Sequence, residues 1–328
     1  MGKIVTFGEI MMRLQAPSYQ RIMQASSFTA YFGGSEANTA AALAQWGKDS
    51  VYVTKLPKNP LGESCIRNLK YWGIDTSKIV RGNGRLGVYY TEKGASQRPP
   101  QVVYDRKYSD FSLSGLDDYD FEDIFKGAEW FHFSGITPAL GGNLPEITKR
   151  AVEAAKKAGV RISCDFNYRS KLWSVEEACK VMTDLITGID VLIINENQAK
   201  EIFGIESDEL DEIASVLANK FNVGSVAITK RRTISGEVNE FSAMLFKDGK
   251  GYYSRTYSIF MIDKIGGGDA FSAGLIYGLT SGKSCQETID FAAASACCKH
   301  TIEGDMLAAS VEDIEWIARS DGRGRMVR

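Results

Sequence analysis

Residues 262–279, IDKIGGGDAFSAGLIYGL, place three consecutive glycines and an aspartate ahead of a run with helical spacing. Phe271, Leu275, Ile276 and Leu279 recur on one helical face, which predicts a helix beginning near the glycines. Glycine loses the most backbone freedom on folding, so three in a row imply backbone angles or close approaches that a Cβ would forbid. The first amides of a helix lack intrahelical partners and sit at the positive end of its dipole. Gly266, Gly267 and Gly268 therefore form a cradle suited to an anion, typically a phosphate. Asp269 is discordant there, because a carboxylate is repelled by the ligand the glycines attract. It serves either as an N-terminal cap or as a base. A phosphate cradle with a carboxylate inside it suits phosphoryl transfer to a hydroxyl, in which the protein positions groups, neutralises charge and accepts the acceptor's proton.

Elements that could hold such a site are legible as alternating short apolar runs and helix-length segments. WFHFSGI at 130–136 precedes NLPEITKRAVEAAKKAG, and VRISCDFN at 160–167 precedes SVEEACKVMTDLITG. VLII at 191–194 precedes NENQAKEIFG, while SVAIT at 225–229 follows DELDEIASVLANKF. This alternation predicts an α/β fold with a mostly parallel central sheet flanked by helices, whose ligands collect at the carboxyl ends of the strands. Two stretches break the rhythm: residues 11–33, and RLGVYYTEKGASQRPPQVVYDRKY at 85–108. Alternating Tyr and Val around a Gly, Ser and Pro turn predicts an antiparallel hairpin. Because no Pro- or Gly/Ser-rich linker divides the chain, both are read as insertions, approximately 11–33 and 85–112, forming a small β-sheet lid within one domain spanning 1–328.

The 328 residues are 44% hydrophobic, ample for a large core. Lys and Arg total 39 against 41 Asp and Glu, a net charge of −2 that supplies no long-range field for nucleic acid or an anionic membrane. Small-molecule partners are expected instead. The 6 cysteines include no CxxC pair, which points to reduced thiols and a cytoplasmic protein. MGKIVTFGEI reads as a first strand and not as a signal peptide or membrane span. The tail RSDGRGRMVR reads as a solvated, frayed end.

Three patterns are set aside on context. GNGRLG at 82–87 fits GxGxxG but leads into a strand, and GLTSGKS at 278–284 is one residue short of a Walker loop and follows a helix. His132 and His300 are far apart, with no metal-ligand neighbour at i+4, so they read as packed or surface residues.

DKIGGGD at 263–269 resembles the DTxGAGD signature of the PfkB, or ribokinase-like, carbohydrate kinases, and YFGGSEANTAAALAQWG near the N-terminus resembles the family's other signature. The resemblance covers nearly the whole chain. It implies a ribokinase-like fold, with Asp269 as general base and the backbone of Ile265 to Gly268 as an anion hole for the transferring phosphate. It also implies sugar contacts at Gly33, Gly34 and Asn38. Within the family the chain is similar to the 2-keto-3-deoxygluconate kinases, whose VYY strand, EKG turn and YDR appear here at Val88 to Tyr90, Glu92 to Gly94 and Tyr104 to Arg106. Their DxNxR motif appears as Asp165, Asn167 and Arg169. A sugar acid needs a cation where a neutral sugar needs hydroxyl partners, and arginine's planar fork matches a carboxylate. Arg106 and Arg169 are the candidates, with Tyr89 and Tyr104 lining the same pocket. Each could instead be an ion-pair or packing residue.

Two departures stand out. The family's NxxE motif, which organises magnesium and its waters, falls on Asn195 to Gln198, so glutamine replaces its glutamate; Glu196, at a different helical angle, is not expected to compensate. Where many members carry a TxGxxG nucleotide loop, this chain has TKRRTISG at 229–236. Thr229 and Lys230, Arg231 or Arg232 are then candidates for ATP contacts, with a solvated basic turn as the alternative.

The reading is an ATP- and Mg²⁺-dependent kinase of 2-keto-3-deoxygluconate, the metal held through ATP phosphates and water, acting as a homodimer or higher oligomer through the lid. The alternatives are a kinase of a neutral hexose or of 2-keto-3-deoxygalactonate, and a non-catalytic sugar sensor.

Overall fold

A computed structural model describes residues 2–320; the tail from residue 321 onward lies outside them. Its centre is a sheet in which the strands Ser50–Val53, Lys3–Phe7, Ala128–Ser134, Arg161–Asp165, Val191–Asn195 and Ser225–Thr233 run parallel in that spatial order. The sheet then turns antiparallel through Val238–Lys247, which pairs with both Lys250–Tyr253 and Tyr257–Phe260.

The parallel strands are apolar on both faces because helices cover both. Alternation along Val191–Asn195 shows how: Leu192 and Ile194 join one core with Phe131, Phe133 and Leu217, while Val191 and Ile193 join another with Trp130, Phe271 and Ile276. The first core is roofed by the helices Leu144–Lys157, Val175–Ile186 and Leu210–Phe221; the second by Gly267–Thr280, Cys285–His300 and Val311–Arg319.

A separate four-stranded sheet runs in the order Thr29–Gly33, Met11–Gln15, Val88–Glu92, Gln101–Asp105. The hairpin expected at 85–108 is antiparallel and places Tyr89 opposite Tyr104, while its inner strand lies parallel to Met11–Gln15. Both out-of-rhythm segments thus build one sheet.

One expectation needs correction. Residues 229–236 do not form a free loop: the strand that contains SVAIT continues through Thr233, because its outer half pairs with Val238–Lys247, Arg231 opposite Phe241. The three basic residues are strand residues that alternate sides. The cysteines Cys65, Cys164, Cys179, Cys285, Cys297 and Cys298 are all free thiols. No described helix is long and apolar enough to cross a membrane.

Candidate active site

The helix Gly267–Thr280 starts immediately after Gly266, whose φ of 84° lies in the left-handed region that favours glycine. Crowding adds to this, since a Cβ on Gly266 would overlap the Asp305 carbonyl oxygen and one on Gly267 would overlap the His300 ring. Gly268 has open space where its Cβ would be. The three glycines therefore answer three demands: a left-handed turn, close packing and access. Ile265 is not part of the open cradle, because its N–H donates to the Asp263 carboxylate at 3.1 Å. The amides available to an anion are those of Gly266, Gly267 and Gly268.

Asp269, half-buried in the first turn of this helix, is held by a second helix, Ser35–Gln45. Ser35 Oγ donates to Asp269 Oδ1 at 2.7 Å and Asn38 Nδ2 to Oδ2 at 2.7 Å, while Thr39 Oγ1 donates to the Asp269 carbonyl at 3.2 Å. Asn38 is fixed in turn by accepting the Gly34 amide at 3.4 Å. The chain can pack this tightly because Gly33 lies against Asp305 and Gly34 against the Glu9 carbonyl, positions a side chain would occupy. Gly33, Gly34 and Asn38, expected on the sugar, thus frame the carboxylate, and Ser35, which sequence reasoning missed, shares the task. Burial raises the pKa of Asp269 above the ordinary carboxylate value; the Asn38 and Ser35 hydrogen bonds and the charge of Arg169 oppose the rise.

Asp165 ends its strand beside Ser134, and burial, then the charge of Asp269, push it up to about 7. Asn167, at φ 38°, is a non-glycine in the left-handed region, the kind of local strain found at functional sites. Its Nδ2 bridges Ser35 Oγ and Asp165 Oδ2, each at 3.4 Å, linking the two carboxylates through one amide. Arg169 is exposed, makes no ion pair among the described residues, and lowers the pKa of both Asp165 and Asp269. Behind them Glu36 is fully buried, accepts the Ser134 amide at 2.9 Å and is pushed up to about 7 by burial.

Two further candidates, Tyr89 and Arg106, bind Asp305 and Glu9, the residues that abut Gly33 and Gly34. Arg106 pairs with Glu9 through Nε at 2.9 Å and through Nη2, and Ser109 donates to the same buried carboxylate. Its guanidinium also stacks over Tyr104, which is exposed. Tyr89 is buried and donates to Asp305. Asp305 and Asp263 flank the guanidinium of Arg13, at 3.0 and 2.5 Å, and Arg13 has no exposed surface. Lys299, equally buried, donates to the Ile302 carbonyl at 2.9 Å and feels both aspartates. This cluster ties the small sheet to the base of the glycine turn, and sequence reasoning identified only Tyr89 in it. Its signals were a lone arginine in an apolar strand and a Lys-His pair ending an alanine-rich helix.

Asn195 and Gln198 form a capping box: Asn195 Oδ1 accepts the Gln198 amide at 2.9 Å, and Gln198 Oε1 the Asn195 amide at 3.4 Å. Glu196 turns to Lys230 at 3.1 Å, and Arg232 pairs with Glu240 at 3.6 Å. Thr229, beside Asn195 in the sheet, is half-buried. No group of three or more His, Cys, Asp or Glu among the described residues could hold a metal. His132 is a core residue bonded to Ser163, as expected; His300 sits under the glycine turn.

Residues 1–311 match the model of the pfkB family carbohydrate kinases. The chain belongs to that family. Its curated relatives include the 2-dehydro-3-deoxygalactonokinase of Haloferax volcanii, 32% identical over 323 residues and 98% of each chain. They also include the 2-dehydro-3-deoxygluconokinase of Bacillus subtilis, 29% identical over 92% of this chain and 90% of that one. Among solved structures, the 2-dehydro-3-deoxygluconokinase of Thermotoga maritima superposes with a TM-score of 0.95 at 47% identity, over 98% of this chain and all of that one.

Proposed function

We propose that this kinase transfers the γ-phosphate of ATP to the terminal hydroxyl of 2-keto-3-deoxygluconate, giving the 6-phosphate and ADP. Asp269 accepts the hydroxyl proton as the new O–P bond forms and the bond to the ADP oxygen breaks. The amides of Gly266, Gly267 and Gly268 stabilise charge on the transferring phosphoryl group. Mg²⁺ held through the ATP phosphates and water would neutralise their charge; this chain's Asn195 and Gln198 oxygens already accept each other's backbone amides and Glu196 pairs with Lys230, so no direct protein ligand is assigned. Gly33, Gly34 and Asn38 border the sugar site, and the small sheet closes over it to exclude water.

The observation that carries the acid substrate is Arg169, a guanidinium with no ion pair among the described residues, beside Asp165 and Asp269. A neutral sugar would leave it facing carboxylates alone; a sugar carboxylate gives its planar fork a partner. The galactonate-type acid is the second reading, favoured by the Haloferax volcanii relative, since the two acids differ at one hydroxyl. The edge strand Gln101–Asp105, with Val103 and Tyr104 exposed, suits pairing with a second copy, which sedimentation would test. ADP release with ATP and Mg²⁺, compared among 2-keto-3-deoxygluconate, its galactonate epimer, fructose and ribose, tests the substrate. Preference for fructose or ribose would overturn the acid reading.

A further inference from the structure

The strand alternation that corrects residues 229–236 also sorts their charges. Lys230 and Arg232 point to one side and are neutralised by Glu196 and Glu240. Arg231 points to the other, has no acidic partner among the described residues, and has its Nη2 3.1 Å from His300 Nε2. A guanidinium only donates, so His300 Nε2 accepts; the other ring nitrogen then carries the proton and donates to the Asp263 carbonyl at 3.0 Å. His300 is buried, with its ring packed against Gly267 in the first turn of the helix. The result is an unneutralised cation, held by a neutral imidazole, beside the amides that form the anion cradle.

We infer that Arg231 binds a phosphate of the nucleotide, and that His300 is the positioning residue that aims it there, in place of the glycine-rich nucleotide loop this chain lacks. This rests on the ATP-dependent reading above. A guanidinium fork reaching from a paired strand supplies by side chain the donors that a glycine loop would supply by backbone. It leaves an adenosine moiety untouched and acts only on phosphate.

Calorimetric binding of ADP and of adenosine to the full chain tests this without turnover. Arg231→Met, on an exposed residue, should weaken ADP about 10-fold or more, the value of a charge-assisted hydrogen bond, and leave adenosine within about twofold. His300→Asn keeps a donor for the Asp263 carbonyl and removes the Nε2 acceptor. It should lower ADP affinity in the same selective way, and adding Arg231→Met to it should cost little more. A merely structural defect would weaken ADP and adenosine together, which would remove the role of His300. ADP affinity within twofold of wild type in Arg231→Met, or losses that multiply in the double variant, would overturn the inference. Absence of ADP binding by the unaltered chain would instead sink the kinase reading itself.

Discussion

Asn38 Nδ2 lies 2.7 Å from Asp269 Oδ2, so a residue of the first signature orients the carboxylate of the second across more than half the chain. With Ser35 on the other oxygen, the carboxylate is held flat between two helix starts. Such a base loses catalysis in two distinguishable ways. Asp269→Asn removes the proton acceptor and should cut kcat by at least about 10²-fold with folding intact. Asn38→Ala keeps the acceptor but removes a hydrogen bond that favours its charged form, so the acidic limb of the kcat/KM profile should move to higher pH. A profile that stays in place would show that Asn38 serves the sugar alone.

The two candidate arginines separate by what each already touches. Arg106 is committed to the buried Glu9, whereas Arg169 is free of ion pairs among the described residues. Arg169→Ala should therefore lower kcat/KM for sugar acids about 10- to 100-fold with little change in Tm. Arg106→Ala should lower Tm, because it leaves Glu9 buried without its cation, and Glu9→Gln in the same chain should restore part of that loss. Equal thermal shifts in the two single variants would contradict this division.

Where the signal was periodic or concentrated in one motif, the sequence carried the answer: the strand-helix alternation, the hairpin with Tyr89 opposite Tyr104, and the turn before Asp269 were all readable. Long-range partnership was not. The pairing of Arg106 with Glu9, 97 positions away, carries no mark in the sequence. TKRRTISG looked like a loop because the partner strand that extends it lies downstream, and pairing overrides local turn chemistry. His300 is packed, as the sequence implies, but nothing in the sequence marks the partners it bridges, Arg231 and the Asp263 carbonyl.

Arg13 shows how the small sheet is anchored. Its guanidinium, without exposed surface, lies between Asp263 and Asp305. Burial penalises all three charges, and their mutual attraction offsets the penalty only while the set is complete. Arg13→Met should therefore destabilise by about 3–5 kcal/mol in denaturant unfolding, and Asp305→Asn added to it should recover part of the loss. If Arg13→Met alone were neutral, the cluster would have no anchoring role.

Glu36 offers a pH test of the buried carboxylates behind the site. Burial raises its pKa from an ordinary 4.5 to about 7, so between those values the folded chain holds a proton that the unfolded chain has released. Folding stability from this group is then fully present below about pH 4.5 and declines as pH rises through 7. Asp165, pushed up to about 7 by burial and Asp269, adds a decline of the same sign. Glu36→Gln, which keeps the shape and cannot ionise, should flatten the fall in stability between pH 5 and 8 measured by urea unfolding. It should also lower the pKa of Asp165, because one charge that raises it is gone. A wild-type stability that rises over that range, or a Glu36→Gln chain with an unchanged slope, would show that Glu36 is ionised in the fold and that its Ser134 and Thr137 hydrogen bonds suffice to keep it so.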